Sequence, residues 1–457
     1  MEKNEKNQIQ QIIEECRKNG DKYIDIIKDI FIDPKFSFSH ISLKLPKDKL
    51  KNFYIYKKQI TNNIFSIDKE NNKDLYVCLS CIYGAFLGDA LGSYCEFKKK
   101  NELNYRNIFK GKNVFGKSAG TITDDSEMAM SIAYSIYDLP DIRVLNSTYI
   151  YFYYQMWLES KPFDIGNTIS SALKCGKIQN LESNYFNKIE NIIKTKNSKS
   201  KANGFLMRIS PIIVWFYYIN KNEVNEIIKG KQEDKYVNIY EKIKNIISKD
   251  NNITHPNPEN NLASGIFIFM ALSAIVQNTP DEIINQLKSL LKLPDFTNDN
   301  GKEIKKNINK CFKDIKDNNF KYNFTLQAGY YMHGIRLIIY YLTKFNEIND
   351  TDKSFTKYRK IINEICNEGG DTDTNAAIVG TIIGPLIGYL DFGKELKEMI
   401  NLEKKARIQF SPFIMYNFVK FIEDNSKLIE EKKYEIDTKP RYNTLKMFLE
   451  ILLNLNN

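Results

Sequence analysis

Gly84-Ala85-Phe86-Leu87-Gly88-Asp89-Ala90-Leu91-Gly92-Ser93-Tyr94-Cys95-Glu96 sets a glycine at every fourth position of an apolar stretch. Residues four apart on an α-helix share a face, so that face carries no side chains and another backbone can lie against it. The segment is expected to be a buried helix with a closely packed partner. Asp89 and Glu96 stand seven apart in it, nearly two turns, and share a face. Charge in so apolar a setting is costly unless a cation or a substrate hydroxyl answers it. A helix end that leaves Glu96 in solvent is the plainer alternative.

Two further oxygen-rich clusters lie about 250 residues apart: Thr123-Asp124-Asp125, and Asp371-Thr372-Asp373-Thr374 directly after Gly369-Gly370. Carboxylates and hydroxyls at this density, with no His or Cys beside them, are the ligand set of a hard divalent cation. Helix neighbours point about 100° apart, so consecutive ligands converge only from a loop or a first turn. Apolar helical sequence follows both clusters, Met128-Ala129-Met130-Ser131-Ile132-Ala133 and Ala376-Ala377-Ile378-Val379, which places each at a helix N-terminus. For either one alone an ordinary N-cap accounts for the residues. Together they predict a magnesium or manganese site assembled from distant segments. An EF-hand at Asp371 is excluded, because its sixth position calls for Gly and its twelfth for Glu, where this chain has Ala376 and Ile382.

Six motifs in order carry a resemblance: GDALGSYCE (88–96), TDDSEM (123–128), KPFDIGNT (161–168), NGFLMRISP (203–211), THPNP (254–258) and EGGDTDTNAAIVGTIIG (368–384). They resemble the ADP-ribosylglycohydrolase family from about Asp74 to about Leu390. The resemblance implies an all-α fold, a compact orthogonal helical bundle with a central two-metal cleft. It places two Mg2+ (or Mn2+) ions on Thr123, Asp124, Asp125, Asp371, Asp373 and Thr374, the positions the clusters already pointed to. It assigns catalytic roles to Glu96, Asp124 and Asp125, with Glu96 as a mobile carboxylate near the scissile bond. Gly166-Asn167-Thr168 matches the family's diphosphate loop, and a helix opening there offers free N–H groups to an anion. Asn203, Gly204 and His255 match positions along the ADP-ribose cleft, and Asp89 is grouped with these substrate-binding residues. Two departures stand out: Ser126 replaces a frequent Thr and keeps its hydroxyl, and Phe205-Leu206 replace small residues, which would narrow the cleft.

The implied reaction is hydrolysis of the glycosidic bond between ADP-ribose and a protein side chain, arginine or serine, or of a related ADP-ribose conjugate. The implied partner is therefore an ADP-ribosylated protein or conjugate. Metal-held hydroxyls fix the ribose, and a carboxylate orients or deprotonates water while the released side chain takes a proton. The alternative is a catalytically inactive member that acts as an ADP-ribose-binding or structural protein. Six ligands held together against their own repulsion favour the enzyme. Arg208, the lone charge in Met207-Arg208-Ile209-Ser210-Pro211, is read first as a structural ion-pair partner and second as a site residue. His255, just before Pro256, suits packing or capping about as well as ligand contact.

Composition fits this reading. With 457 residues, 42% of them hydrophobic, the chain can bury a large core. Its longest apolar stretches, Ala263 to Val276 and Ala376 to Leu390, fall short of the roughly 18 residues of a membrane span. Met1 to Asn7 is charged and unlike a signal peptide, so an intracellular, cytoplasmic protein without membrane contact is expected; its oligomeric state is left open, with a monomer favoured. The close pair Cys78 and Cys81 has no second pair to complete a zinc site. A net charge of +10 is spread among Asn, Ile and Glu without a basic stripe, which argues against nucleic acid. The expected division is an N-terminal extension over 1–73 with breaks at Asp33-Pro34 and Leu45-Pro46, a catalytic domain over 74–395, and C-terminal helices over 396–457 packed on the body. Lys/Asn-rich stretches near 178–202, 221–254 and 296–322 read as surface insertions. Val237, Ile239, Ile243, Ile246 and Ile247 recur at helical spacing within the middle one.

Overall fold

The computed structural model describes residues 49–96, 112–177, 185–348, 356–402, 407–436 and 443–453. Among these, the helices in chain order are α1 Lys49–Phe65, α2 Lys73–Gly92, α3 Asp124–Tyr137, α4 Ser147–Glu159, α5 Asn167–Leu173 and α6 Tyr185–Asn197. There follow α7 Ser210–Ile219, α8 Lys221–Val224, α9 Tyr236–Thr254, α10 Pro258–Ile275, α11 Pro280–Leu290 and α12 Asp299–Lys316. The last six are α13 Met332–Thr343, α14 Lys357–Glu368, α15 Thr372–Ile387, α16 Lys394–Asn401, α17 Ile414–Glu430 and α18 Asn443–Leu453. No strand forms among the described residues, only two isolated bridges. The expected all-α bundle is what these residues build. Asp33-Pro34 and Leu45-Pro46 lie outside the described residues.

The core is organised by α2 and α15, which run antiparallel along the glycine face. A Cβ at Gly84 would fall 2.2 Å from the Gly380 carbonyl oxygen, one at Gly88 2.3 Å from that of Ala376, and one at Gly92 2.4 Å from Cα of Asp373. Gly380 and Gly384 answer from the other side, against the carbonyls of Gly84 and Ser80. Backbone thus meets backbone from Ser80 to Gly92, as the spacing predicts. Tyr358 of α14 donates its hydroxyl to the Gly84 carbonyl and fastens the pair from outside. Helices α13 and α14 pack on α15, while α7, α10 and α17 pack on α2.

Every residue of α2 from Leu75 to Gly92 is buried. At 20 residues and mean hydropathy 1.5 it is long and apolar enough to cross a membrane, yet its whole apolar window lies inside the fold. In the sequence the charge of Asp89 interrupts its apolar run.

The middle Lys/Asn-rich stretch needs correction. Helix α9 is no surface insertion: Ile239, Tyr240, Ile243, Ile247, Asp250, Asn251 and Thr254 are all buried, and it packs along α10. Lys242, Lys249, Asn238 and Asn245 line the outer face of a helix whose inner stripe belongs to the core. Helices α6 and α12 occupy the other two stretches, of which residues 178–184 lie outside the described part. At the C-terminal end α17 packs on α2, α3 and α7, and α18 on α1 and α3. Lys57 of α1 donates to the carbonyls of Asn401 and Leu402 at 2.9 and 3.1 Å, closing the end of α16.

Candidate active site

The glycine-packed pair fixes where the acidic clusters fall. Because α2 ends against the start of α15, with the Thr372 hydroxyl donating to the Gly92 carbonyl at 2.8 Å, Glu96 lands beside Asp371 and Asp373. One carboxylate oxygen from each of these three lies within 4.8 Å of the others. The first turn of α3 arrives from a third direction. Thr374 donates its hydroxyl to Asp125 at 3.2 Å, a contact between residues 249 apart in sequence.

What holds α3 there is Asp89. Its carboxylate is fully buried and accepts the backbone N–H of Thr123 at 3.0 Å and of Ser126 at 3.2 Å, together with both hydroxyls. The expected substrate-binding role for Asp89 is therefore corrected: it does not line the cavity. The positive partner that an isolated carboxylate in an apolar helix demanded is the N-terminus of α3. Burial raises its carboxyl to about 6, against the pull of the hydrogen bonds from Ser126 and Thr123. Thr123, also buried and off the cavity wall, gives its proton to Asp89 at 2.9 Å and keeps its lone pairs, which leaves it fit to ligate.

Around this centre opens a cavity of about 400 Å³. Among the described residues six carboxylates line it, those of Glu96, Asp124, Asp125, Asp164, Asp371 and Asp373, and no Lys or Arg does. Asp125 Oδ2 and Glu96 Oε2 are buried without a hydrogen-bond partner. Burial first, then mutual repulsion, holds the carboxyls of Asp124, Asp125 and Asp373 well above their usual range, and raises Glu96 to about 9, with Asp371 the largest charge against it. Orphaned oxygens in an all-oxygen set of this charge fit small hard divalent ions, whose field reverses those shifts.

The other expected residues also reach the cavity. Gly166, Asn167 and Thr168 form the start of α5 on one wall. Asn203 and Gly204 lie on a short 3₁₀ turn, and the Asn203 amide donates to Asp371 at 2.7 Å. His255 presents an unpartnered Nε2. The anticipated narrowing at Phe205-Leu206 does not occur: both side chains are buried away from the cavity, Phe205 against His255 and Tyr331. Arg208 takes the structural role, fully buried in an ion pair with Asp250 at 3.0 Å and stacked over Tyr154.

Asp164 was not singled out from the sequence, although it stands in the motif KPFDIGNT. It lines the cavity beside Asp124, and burial above all raises its carboxyl. Its segment is anchored from behind: Arg407 donates to the Ser160 carbonyl at 2.7 Å and, through Nε, to buried Glu127 at 2.9 Å, which also takes the Trp157 N–H at 3.0 Å. Ala328 and Gly329, in a loop with no motif to mark it, complete the wall.

Residues 73–409 match the profile of the family described as ADP-ribosylglycohydrolase. The chain belongs to the ADP-ribosylglycohydrolase family. Among its relatives, a protein of Acanthamoeba polyphaga mimivirus bearing the name ADP-ribosyl glycohydrolase is 29% identical over 353 residues, 73% of this chain and 93% of that protein. The ADP-ribosyl-[dinitrogen reductase] glycohydrolase of Rhodospirillum rubrum is 31% identical over 100 residues, 21% of this chain and 33% of the relative. A solved structure titled as an ADP-ribosylglycohydrolase-related protein complex shares the fold, with a TM-score of 0.52 and 16% identity over 76% of this chain and 99% of its own. The ADP-ribosylglycohydrolase match runs past residue 395 into the C-terminal helices.

Proposed function

We propose that this family member hydrolyses the glycosidic bond between ADP-ribose and a protein side chain, with two Mg2+ or Mn2+ ions held by Thr123, Asp124, Asp125, Asp371, Asp373 and Thr374. The observation that carries the reading is the meeting of three sequence-distant carboxylate groups in one cavity, with two of their oxygens left unpartnered. When bound, such ions grip ribose hydroxyls and lower the pKa of a water molecule. The residues supply the rest. Asn203 orients Asp371 through its amide. The start of α5 offers backbone N–H groups on the wall where a diphosphate would lie. Glu96, raised to about 9 by burial while the site is ion-free, becomes a carboxylate once cations enter, and can then hold the attacking water while the leaving side chain takes a proton.

Charge bears on the leaving group. Six lining carboxylates exceed the four positive charges of two divalent ions, which suits a cationic guanidinium better than a neutral hydroxyl, and Asp164 supplies part of the excess. The test is ADP-ribose release from peptides modified on arginine, serine and acidic residues, with Mg2+, Mn2+ or chelator. Release that needs the ion and is fastest from arginine supports the proposal. No release from any peptide, together with no shift in melting temperature on adding the ion, favours the inactive binding protein instead.

A further inference from the structure

Among the described residues His255 is the cavity's only imidazole, and which ring nitrogen carries the proton decides whether it offers substrate a donor or a lone pair. We infer that Thr254, itself held by the Arg208–Asp250 pair, is a positioning residue that fixes His255 as the Nε2–H tautomer, a neutral donor aimed at an acceptor oxygen of the bound substrate. The inference rests on the proposed ADP-ribose site for its ligand, and on hydrogen-bond accounting for the tautomer.

The accounting begins at Asp250, buried in the last turns of α9. Its Oδ1 accepts the Tyr154 hydroxyl at 2.6 Å, and its Oδ2 accepts Arg208 Nε at 3.1 Å and Nη2 at 3.0 Å. Arg208 Nη2 also donates to Thr254 Oγ1 at 2.8 Å. A guanidinium only donates, so the threonine hydroxyl must accept there and place its own proton elsewhere. Its one other side-chain neighbour is His255 Nδ1, at 2.8 Å. If Nδ1 carried the proton, two donors would converge on Thr254 Oγ1, and a fully buried hydroxyl would be left with no acceptor. With Nδ1 accepting, the threonine hydroxyl, the guanidinium Nη2 and the imidazole Nδ1 each have a partner, and the proton sits on Nε2.

The far edge of the ring is built to stay open. Nε2 is buried, has no partner, and borders the cavity. Gly204 makes this possible, because a Cβ there would lie 3.1 Å from His255 Cε1 and 3.4 Å from Nε2. Phe205 packs against the ring at 5.6 Å between centroids and holds its plane. Burial and the nearby Arg208 charge push the imidazole well below its ordinary pKa, so it stays neutral. Phosphate oxygens only accept, so they need a donor, and a lone pair at this position would repel them. A neutral donor adds no positive charge that the cavity carboxylates would draw away.

The chain has three histidines, which makes the tautomer directly readable. Long-range ¹H–¹⁵N correlation on histidine-labelled, ligand-free protein, with His40→Gln and His333→Gln to assign the signals, should give the Nε2–H pattern for His255. Thr254→Ser should keep that pattern, and Thr254→Val should lose it. In calorimetric titration with ADP-ribose and Mg2+, Thr254→Val should bind about tenfold more weakly, the ratio that one ordinary hydrogen bond represents, while Thr254→Ser binds like the wild type. An Nδ1–H signal in the wild type overturns the inference, as does a serine variant that loses the pattern or a valine variant of undiminished affinity. If the wild type shows Nε2–H but binds no ADP-ribose, the donor role falls with the proposed function, and the Thr254 relay is upheld by the spectrum alone.

Discussion

Asp373→Ala and Asp125→Ala each remove a carboxylate that no neighbour can replace, since the rest of the acidic set is committed to the same centre. Each should lower turnover by about a hundredfold or more, on the scale of losing a major charge-stabilising group. The far-ultraviolet helical signal should stay unchanged, and wild-type-like hydrolysis in either variant would remove that residue from the ligand set. Glu96 gives a pH prediction. Its folded, ion-free pKa of about 9 lies above the ordinary 4.5, so between those values the folded protein binds more protons than the unfolded chain. This contribution to ion-free stability is complete below about 4.5 and is lost as the pH rises through about 9. A cation requires the carboxylate, so the gain in melting temperature on adding Mg2+ should grow with pH across that window. Calorimetry with and without chelator at several pH values measures it; a gain that shrinks with pH contradicts the assignment.

Among the elements, the α2–α15 contact is the one on which the site depends. Gly88→Ala would drive a Cβ to 2.3 Å from the Ala376 carbonyl, and neither helix can yield without moving the other. Overpacking of this kind costs about 1–3 kcal/mol. The variant should melt lower and also bind Mg2+ more weakly, because Glu96 and Asp373 are carried on the two helices that separate. A lower melting temperature with unchanged Mg2+ affinity would show that the site is set by some other contact. Arg208→Met tests the α9 anchor: it strands Asp250 as a buried charge, and the loss should be about 3–5 kcal/mol in denaturant unfolding. This face of α2 was legible in the sequence because glycine spacing encodes backbone approach directly. The sequence of α9 shows its helical spacing but not its depth, because much of its composition is Lys and Asn, and polar Asp250, Asn251 and Thr254 share the buried stripe with Ile239, Ile243 and Ile247.

For the whole molecule, the clustered carboxylates oppose folding until cations neutralise them, so the protein should be stabilised by mass action. At a free Mg2+ concentration one hundred times the dissociation constant the gain for one site is about 2.7 kcal/mol, readable as a rise in melting temperature that chelator reverses. By itself the sequence determined that the chain is helical and that α2 needs a backbone partner, and it marked Asp124–Asp125 and Asp371–Asp373 as acidic clusters at helix N-termini. Each of these follows from short-range spacing, which residue order states outright. Only the tertiary structure decided that Asp89 caps α3 off the cavity wall, that Asp164 joins the cavity, and that Phe205 leaves it open. In each case the outcome depends on which distant group meets the side chain, and chain packing alone fixes that encounter.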